Sequence, residues 1–262
     1  MPVKIILIAD IVGKPGRQAL SRVLHTLVDR YAIDLVIANG ENAAGGFGIT
    51  EDIAKELYGQ GVHIITTGNH IWDKRESYEF INRESRLIRP ANYPDASPGC
   101  GTAVAVTAAG TKVAVLNLEG RVFMSNLDCP FRVADREISL LKSITPIIIV
   151  DFHAEATSEK LSLGWYLDGK VSAVVGTHTH VQTADERILP GGTAYITDAG
   201  MTGSFDSVIG IKKELAIEKF MTLLPVRFEV AKKDIRLNAV VVEIDEESGR
   251  ALNVERISIT CT

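Results

Sequence analysis

Six histidines occur in the 262-residue chain, and four of them stand where chemistry is easily built. His70, His153, His178 and His180 fall at or just after the ends of segments that read as buried strands, in the company of Asp, Asn or Gly. Imidazole is the commonest transition-metal ligand, and carboxylate or amide oxygens complete a hard-to-intermediate site. Such oxygens recur in equivalent places: Asp10, then Gly40-Glu41-Asn42, then Gly68-Asn69 before His70. Singly, each has a bland reading. Asp10 could cap the next segment, Glu41-Asn42 and Asn69-His70 could be turns, and His153 could bond a backbone carbonyl. His178 and His180 resist dismissal, because alternate residues of an extended segment face one side and their imidazoles could converge. Cys100, Cys129 and Cys261 lie far from all these clusters, which argues against a structural zinc site of the thiolate kind.

The surrounding pattern says how these residues would be positioned. Val3 to Ala9 is a β-branched run, followed by Gly13, Pro15 and apolar residues at helical spacing from Ala19 to Tyr31. Pro15 suits a first helical turn, where its missing N–H costs nothing. Strands are expected at Leu35–Ala38 and Val62–Thr66, with a helix starting near Thr50 whose first turn holds Glu51 and Asp52. Thr102–Thr107 and Lys112–Leu118 flank Ala109-Gly110 as a hairpin. Helices are predicted around Val133–Lys142 and Ser158–Leu167, and strands at Ile147–Val150 and Val171–Val175. Further strand signals stand at Ala194–Thr197, Val226–Val230, Leu237–Ile244 and Leu252–Ile259, with a turn at Asp245–Gly249. No linker or repeat divides the chain, so residues 1–262 read as one domain of α/β class, a layered sandwich. In open α/β sheets the crevice beyond the carboxyl ends of strands is where ligands bind, and the polar clusters fall there.

Taken in order, Asp10, Gly40-Glu41-Asn42, Gly68-Asn69-His70, His153 and Gly176-Thr177-His178-Thr179-His180 resemble the blocks of the calcineurin-like metallophosphoesterases. That superfamily usually opens with Asp-x-His and bridges its metals with Asp; here Val12 and Glu41 take those places. Both departures resemble the signature of one bacterial branch, similar over the whole chain, including Asp10 to Arg17, Glu41 to Gly46 and Asp206 to Gly210. The branch is known as dimetal phosphodiesterases of 2′,3′-cyclic nucleotides. The resemblance implies an α-β-β-α sandwich and two divalent ions, with iron favoured and manganese or zinc as alternatives. It implies one sphere of Asp10, Glu41, Asn42 and His180 and another of Glu41, Asn69, His153 and His178, bridged by Glu41. Asn42 would replace the histidine missing at Val12, and His70 would protonate the leaving oxygen after attack by a metal-activated hydroxide. It also implies a homo-oligomer. Competing readings are a phosphomonoesterase or nuclease with the same centre, or a regulatory metal-binding protein acting through partners.

Bulk properties do not exclude a small anionic substrate. A net charge of -5 argues against a general nucleic-acid binder and a stable nucleic-acid complex. Two divalent ions against two carboxylates would still leave the site positive. Asp10 interrupts the apolar start before it could span a membrane, and no signal-peptide pattern is present, which with scattered cysteines places the expectation in the cytoplasm. Lys14 and Arg17 could contact phosphate or be solvated. Gly45, Gly46 and Gly48 could admit a ligand or merely turn the chain. His25, His63, Trp72 and Trp165 are expected in structural or packing roles.

Overall fold

A computed structural model of the chain describes residues 2–261, so Met1 and Thr262, the ends of the expected 1–262 domain, lie outside the described residues. In chain order the elements are β1 (Pro2–Ile8), β2 (Asp10–Ile11), α1 (Gly13–Tyr31), β3 (Leu35–Asn39), α2 (Glu51–Gly59), β4 (Ile64–Thr66), α3 (Ser77–Arg83), β5 (Thr102–Val106) and β6 (Lys112–Glu119). They continue with α4 (Pro130–Leu141), β7 (Ile148–His153), α5 (Thr157–Leu167), β8 (Ala173–Thr177), β9 (Arg187–Ile188), β10 (Ala194–Ile196), β11 (Met201–Ser204), α6 (Lys213–Thr222), β12 (Ile235–Asp245) and β13 (Ala251–Thr260).

The strands form two sheets. The first runs β2-β11-β12-β1-β3-β4, with β13 paired to β12; the second runs β5-β6-β7-β8-β10-β9. Strands β1, β3 and β4 are parallel, as are β6, β7, β8 and β10. Alternation along each strand sorts side chains into layers. Ile6 and Ile8 of β1 meet Leu20, Leu24 and Leu27 of α1 and Leu57 of α2. Val3, Ile5 and Leu7 face the other way, onto Val113, Val115, Ile149 and Val175 of the second sheet. Ala114, Leu116 and Leu118 of β6 then pack on Val133 and Ile138 of α4 and Leu163 of α5. The order is helix, sheet, sheet, helix, and the expected α-β-β-α sandwich is borne out.

Local signals explain the helix starts. Thr50 caps α2 by accepting from the Ile53 amide at 3.3 Å, and Glu51 and Asp52 occupy its first turn. Pro15 and Pro130 sit in the first turns of α1 and α4. Three expectations need correcting. Val226–Val230 forms no strand; only Val230 makes an isolated bridge, to Ile211, because β12 is already paired along both edges by β1, β11 and β13. Trp165 is exposed under the Arg187 guanidinium rather than packed, and His25 points to solvent near Asp29. Trp72 does pack on the first core, and the His63 ring accepts from the Val36 amide. The turn after Asp245 lies beside Pro2, at the amino end of β1.

Candidate metal centre

Each parallel strand stops where a polar residue begins. Asp10 opens β2 with only Ala9 between it and the end of β1, Glu41 and Asn42 follow β3, and Asn69 and His70 follow β4. In the second sheet His153 closes β7, and His178 and His180 come just after β8. All seven candidate ligands and His70 therefore meet over the carboxyl ends of both sheets. Gly68 keeps that space open: a Cβ there would lie 2.1 Å from His153 Cδ2 and 2.3 Å from Glu41 Oε2.

Two groupings emerge. His153 Nε2 lies 2.9 Å from Glu41 Oε1, 3.1 Å from Asn69 Oδ1 and 3.0 Å from His178 Nδ1. Asp10 Oδ1 is 3.6 Å from His180 Nε2, whose other neighbour is Asn42 Nδ2 at 3.1 Å. Asn42 Nδ2 also donates to Glu41 Oε1 at 3.3 Å, so this amide would turn over to offer Oδ1, its ligand atom, to an ion. Asp10, Glu41, Asn42 and His153 are buried, His180 is nearly so, and His178 is partly exposed.

The outer nitrogen of each imidazole is held. His180 Nδ1 donates to the Ile209 carbonyl at 2.9 Å, His178 Nε2 faces Glu155 Oε2 at 3.2 Å, and His153 Nδ1 faces the Thr177 hydroxyl at 2.9 Å. Ligand histidines are characteristically oriented this way, by a carboxylate, carbonyl or hydroxyl on the far nitrogen. With those protons committed outward, the inner atoms of His153, His178, Glu41 and Asn69 meet lone pair to lone pair. Asp10 Oδ1 is buried and accepts no hydrogen bond. Protein groups alone leave this cluster repulsive, and a divalent cation resolves it, so the donor set fits a metal. One ligand atom from each of Glu41, His153 and His178 can be chosen so that all three lie within 4.8 Å of one another.

The titration behaviour shows the same frustration. Burial would depress the His153 imidazolium, but the buried Glu41 carboxylate reverses this and lifts it to about 9. Burial and the neighbouring His153 charge push His178 down to about 3. Against its own burial Asp10 is held at about 2, by His180 first and then His153 and His178. Without a cation, a proton on His153 does the cation's work.

His178 and His180 are not on an extended segment, which corrects the reason given for their convergence. Both have left-handed backbone, φ +98° and +65°. That conformation is costly for non-glycine residues and persists where surroundings enforce it. Here the enforcing group is a buried ion pair missed in the sequence. Lys160 Nζ donates to the Thr177 carbonyl at 2.7 Å and to Asp198 Oδ2 at 2.5 Å, and that same oxygen accepts from the Thr179 amide at 3.2 Å.

His70 stands at the mouth. Its Nδ1 is 2.8 Å from Asp73 Oδ2, its amide donates to Glu41 Oε2 at 3.2 Å, and the Phe47 ring meets it edge-on at 5.1 Å. It lines a pocket of about 260 Å³ together with Glu41, Asn42, His178 and His180, walled by Phe47, Ile209 and Ile211. Arg17 is elsewhere engaged, donating to the Ala43 carbonyl at 2.6 Å and pairing with Glu56 at 2.9 Å, which removes it as a phosphate contact. Glu119, also missed, is buried beside His153 in register, near the Tyr93 hydroxyl, and burial raises it to about 7.

The sequence model of the YmdB-like protein family matches residues 6–257. The chain belongs to this family. It is similar to a 2′,3′-cyclic-nucleotide 2′-phosphodiesterase of Bacillus subtilis, 52% identical over 98% of this chain and 97% of the relative. In structure it is similar to a hypothetical protein from Thermus thermophilus, at 40% identity and TM-score 0.92, covering 98% and 99% of the two chains. It is also similar to a phosphatase from Mycoplasma pneumoniae, at 37% identity and TM-score 0.93, covering 99% and 94%. The family resemblance read from the polar blocks is borne out. No helix among the described residues is long and apolar enough to cross a membrane.

Proposed function

We propose that the protein is a dimetal phosphodiesterase that hydrolyses 2′,3′-cyclic nucleotides, working as a single catalytic domain over residues 1–262. The observation that carries this reading is the proton-poor convergence of His153, His178, Glu41 and Asn69 beside the orphaned Asp10 oxygen, with His70 at the mouth of the same pocket. Asp10, Glu41, Asn42 and His180 would hold one ion, and Glu41, Asn69, His153 and His178 the other. Such ions supply Lewis acidity toward the phosphoryl oxygens and make water nucleophilic at neutral pH.

The protein's own groups supply the rest. Asp73 fixes the His70 ring through Nδ1, leaving Nε2 to hand a proton to the departing sugar oxygen, the 2′ oxygen by analogy with the Bacillus subtilis relative. Phe47 stops that ring from swinging away. The apolar wall of Ile209 and Ile211 gives the nucleoside a dry surface against which the charged ring of the substrate is oriented. Nitrogen and oxygen donors without thiolate suit iron, with manganese and zinc as the alternatives. A cytoplasmic homo-oligomer completes the reading.

The test is hydrolysis of 2′,3′-cyclic nucleotides, phosphomonoesters and single-stranded oligonucleotides by chelator-stripped protein, with and without iron, manganese or zinc. Metal-dependent turnover of the cyclic nucleotides above the other two classes is expected. Preference for monoesters or oligonucleotides, or metal-independent rates, would replace the reading.

A further inference from the structure

Behind the centre lies a carboxylate that none of these roles uses. Asp151, in β7, is fully buried between the two sheets. Its Oδ1 accepts from the Thr177 hydroxyl at 2.6 Å. Its Oδ2 accepts from the Thr66 hydroxyl and from Asn39 Nδ2, the latter at 3.2 Å. Thr177 closes β8 in the same sheet as Asp151, whereas Asn39 and Thr66 close β3 and β4 in the other. One carboxylate inside β7 thus ties together the ends of three other strands. A second tie runs parallel to it, since Asn117 of β6 donates to the Asp151 carbonyl at 3.4 Å and accepts from the Thr67 amide at 3.0 Å.

Proton counting gives the first arm a direction. A hydroxyl has one proton to donate, and that of Thr177 is committed to Asp151. The Thr177 oxygen can then only accept, and its remaining neighbour is His153 Nδ1 at 2.9 Å. His153 therefore keeps a proton on Nδ1, so that Nε2, which faces Glu41, Asn69 and His178, is the nitrogen that would give up its proton to an ion. The second arm holds the ends of β3 and β4, and Glu41 lies two residues beyond Asn39, while Asn69 lies three beyond Thr66.

We infer that Asp151 is a positioning residue that sets metal affinity, selecting the His153 tautomer through Thr177 while anchoring the strands that deliver Glu41 and Asn69. The inference rests on the reading of His153 as a ligand. A buried carboxylate with no contact to the ion would nonetheless align the nitrogen donors of one sheet with the oxygen donors of the other.

The experiment uses Thr177→Val, which keeps the shape and deletes the hydroxyl, and Thr177→Ser, which restores it. Zinc and manganese affinities of chelator-stripped protein are read by competition with a metal-binding dye. Thr177→Val should bind about 10–100-fold more weakly, the usual cost of losing an outer partner of a ligand histidine. Thr177→Ser should recover most of that loss. Wild-type affinity in Thr177→Val, or no recovery in Thr177→Ser, would overturn the inference while the metal reading stands. A wild-type protein that takes up no ion would overturn both together. Should Thr177→Val not fold, the ¹⁵N spectrum of the zinc-loaded wild type decides: the His153 proton is expected on Nδ1, and a proton on Nε2 refutes the relay.

Discussion

The first sheet brings oxygen to the centre, and the second brings nitrogen. Asp10, Glu41, Asn42 and Asn69 follow β1, β3 and β4, each a strand end with an ordinary continuation. His153, His178 and His180 come from β7 and β8, and two of these three need left-handed backbone held by the buried Lys160–Asp198 pair. The oxygen half is therefore cheap in conformation and costly in charge, with two carboxylates buried near one another. The nitrogen half is the reverse. Neither half is complete alone, and what they share is a gap lined by lone pairs. Unlike halves meeting in this way explain why the centre sits between the sheets rather than on either one.

The comparison predicts how each half fails. The largest effect is expected at Glu41, whose Oε1 lies against His153 of one grouping and Asn42 of the other. Glu41→Gln should strip both ions at once and take activity to background, as read by elemental analysis after gel filtration; retention of two ions with unchanged turnover would end the bridging role. Next comes His70, which belongs to the oxygen half by sequence but to chemistry rather than binding. His70→Ala should keep its metals and lose about 10²–10⁴-fold in turnover of cyclic nucleotides. A nitrophenyl ester, whose leaving group needs little protonation, should suffer far less. Equal losses on the two substrates would recast His70 as a charge or positioning group.

The nitrogen half should break through its backbone. Lys160→Met leaves Asp198 buried without its partner and should destabilise by about 3–5 kcal/mol in denaturant melts, with ions lost from the His178–His180 turn. A variant as stable as wild type would show that the strained turn needs no strut. The smallest effect concerns the gap itself. In metal-free protein His153 titrates at about 9 rather than its ordinary 6.5. A raised pKa favours the folded state below pH 6.5 and loses that contribution as pH climbs through 9, by up to ~3 kcal/mol. Chelator-treated protein should therefore melt progressively lower from pH 6.5 to 9, and metal-loaded protein should not show that trend. A flat profile in the stripped protein would mean His153 is not sharing a proton with Glu41.

Most of the oxygen half was legible in the sequence, because a polar cluster after a β-branched run is a local signal. The layer order was legible for the same reason, from runs such as Ile5 to Ala9 and Ile147 to Val150. What escaped was non-local or unpatterned. Lys160 and Asp198 are 38 residues apart and look like a helical surface charge and a turn acid. Asp151 hides in an apolar strand two residues before His153. Helix α6 was missed because Ala216 is its one buried residue, so its apolar side chains trace no stripe toward a core. The left-handed histidines carry no residue signature at all, since glycine would be the expected occupant.

The opposite end of the sandwich is built from the β12–β13 turn, which sits beside Pro2 where β1 begins, while the centre gathers beyond the points where β1, β3, β7 and β8 finish. Glu247, exposed in that turn, is thus separated from the pocket by the full length of a strand. A dye, a surface tether or a fused reporter attached there would leave the pocket facing free solution, giving a handle for single-molecule or immobilised assays that does not share a face with the substrate.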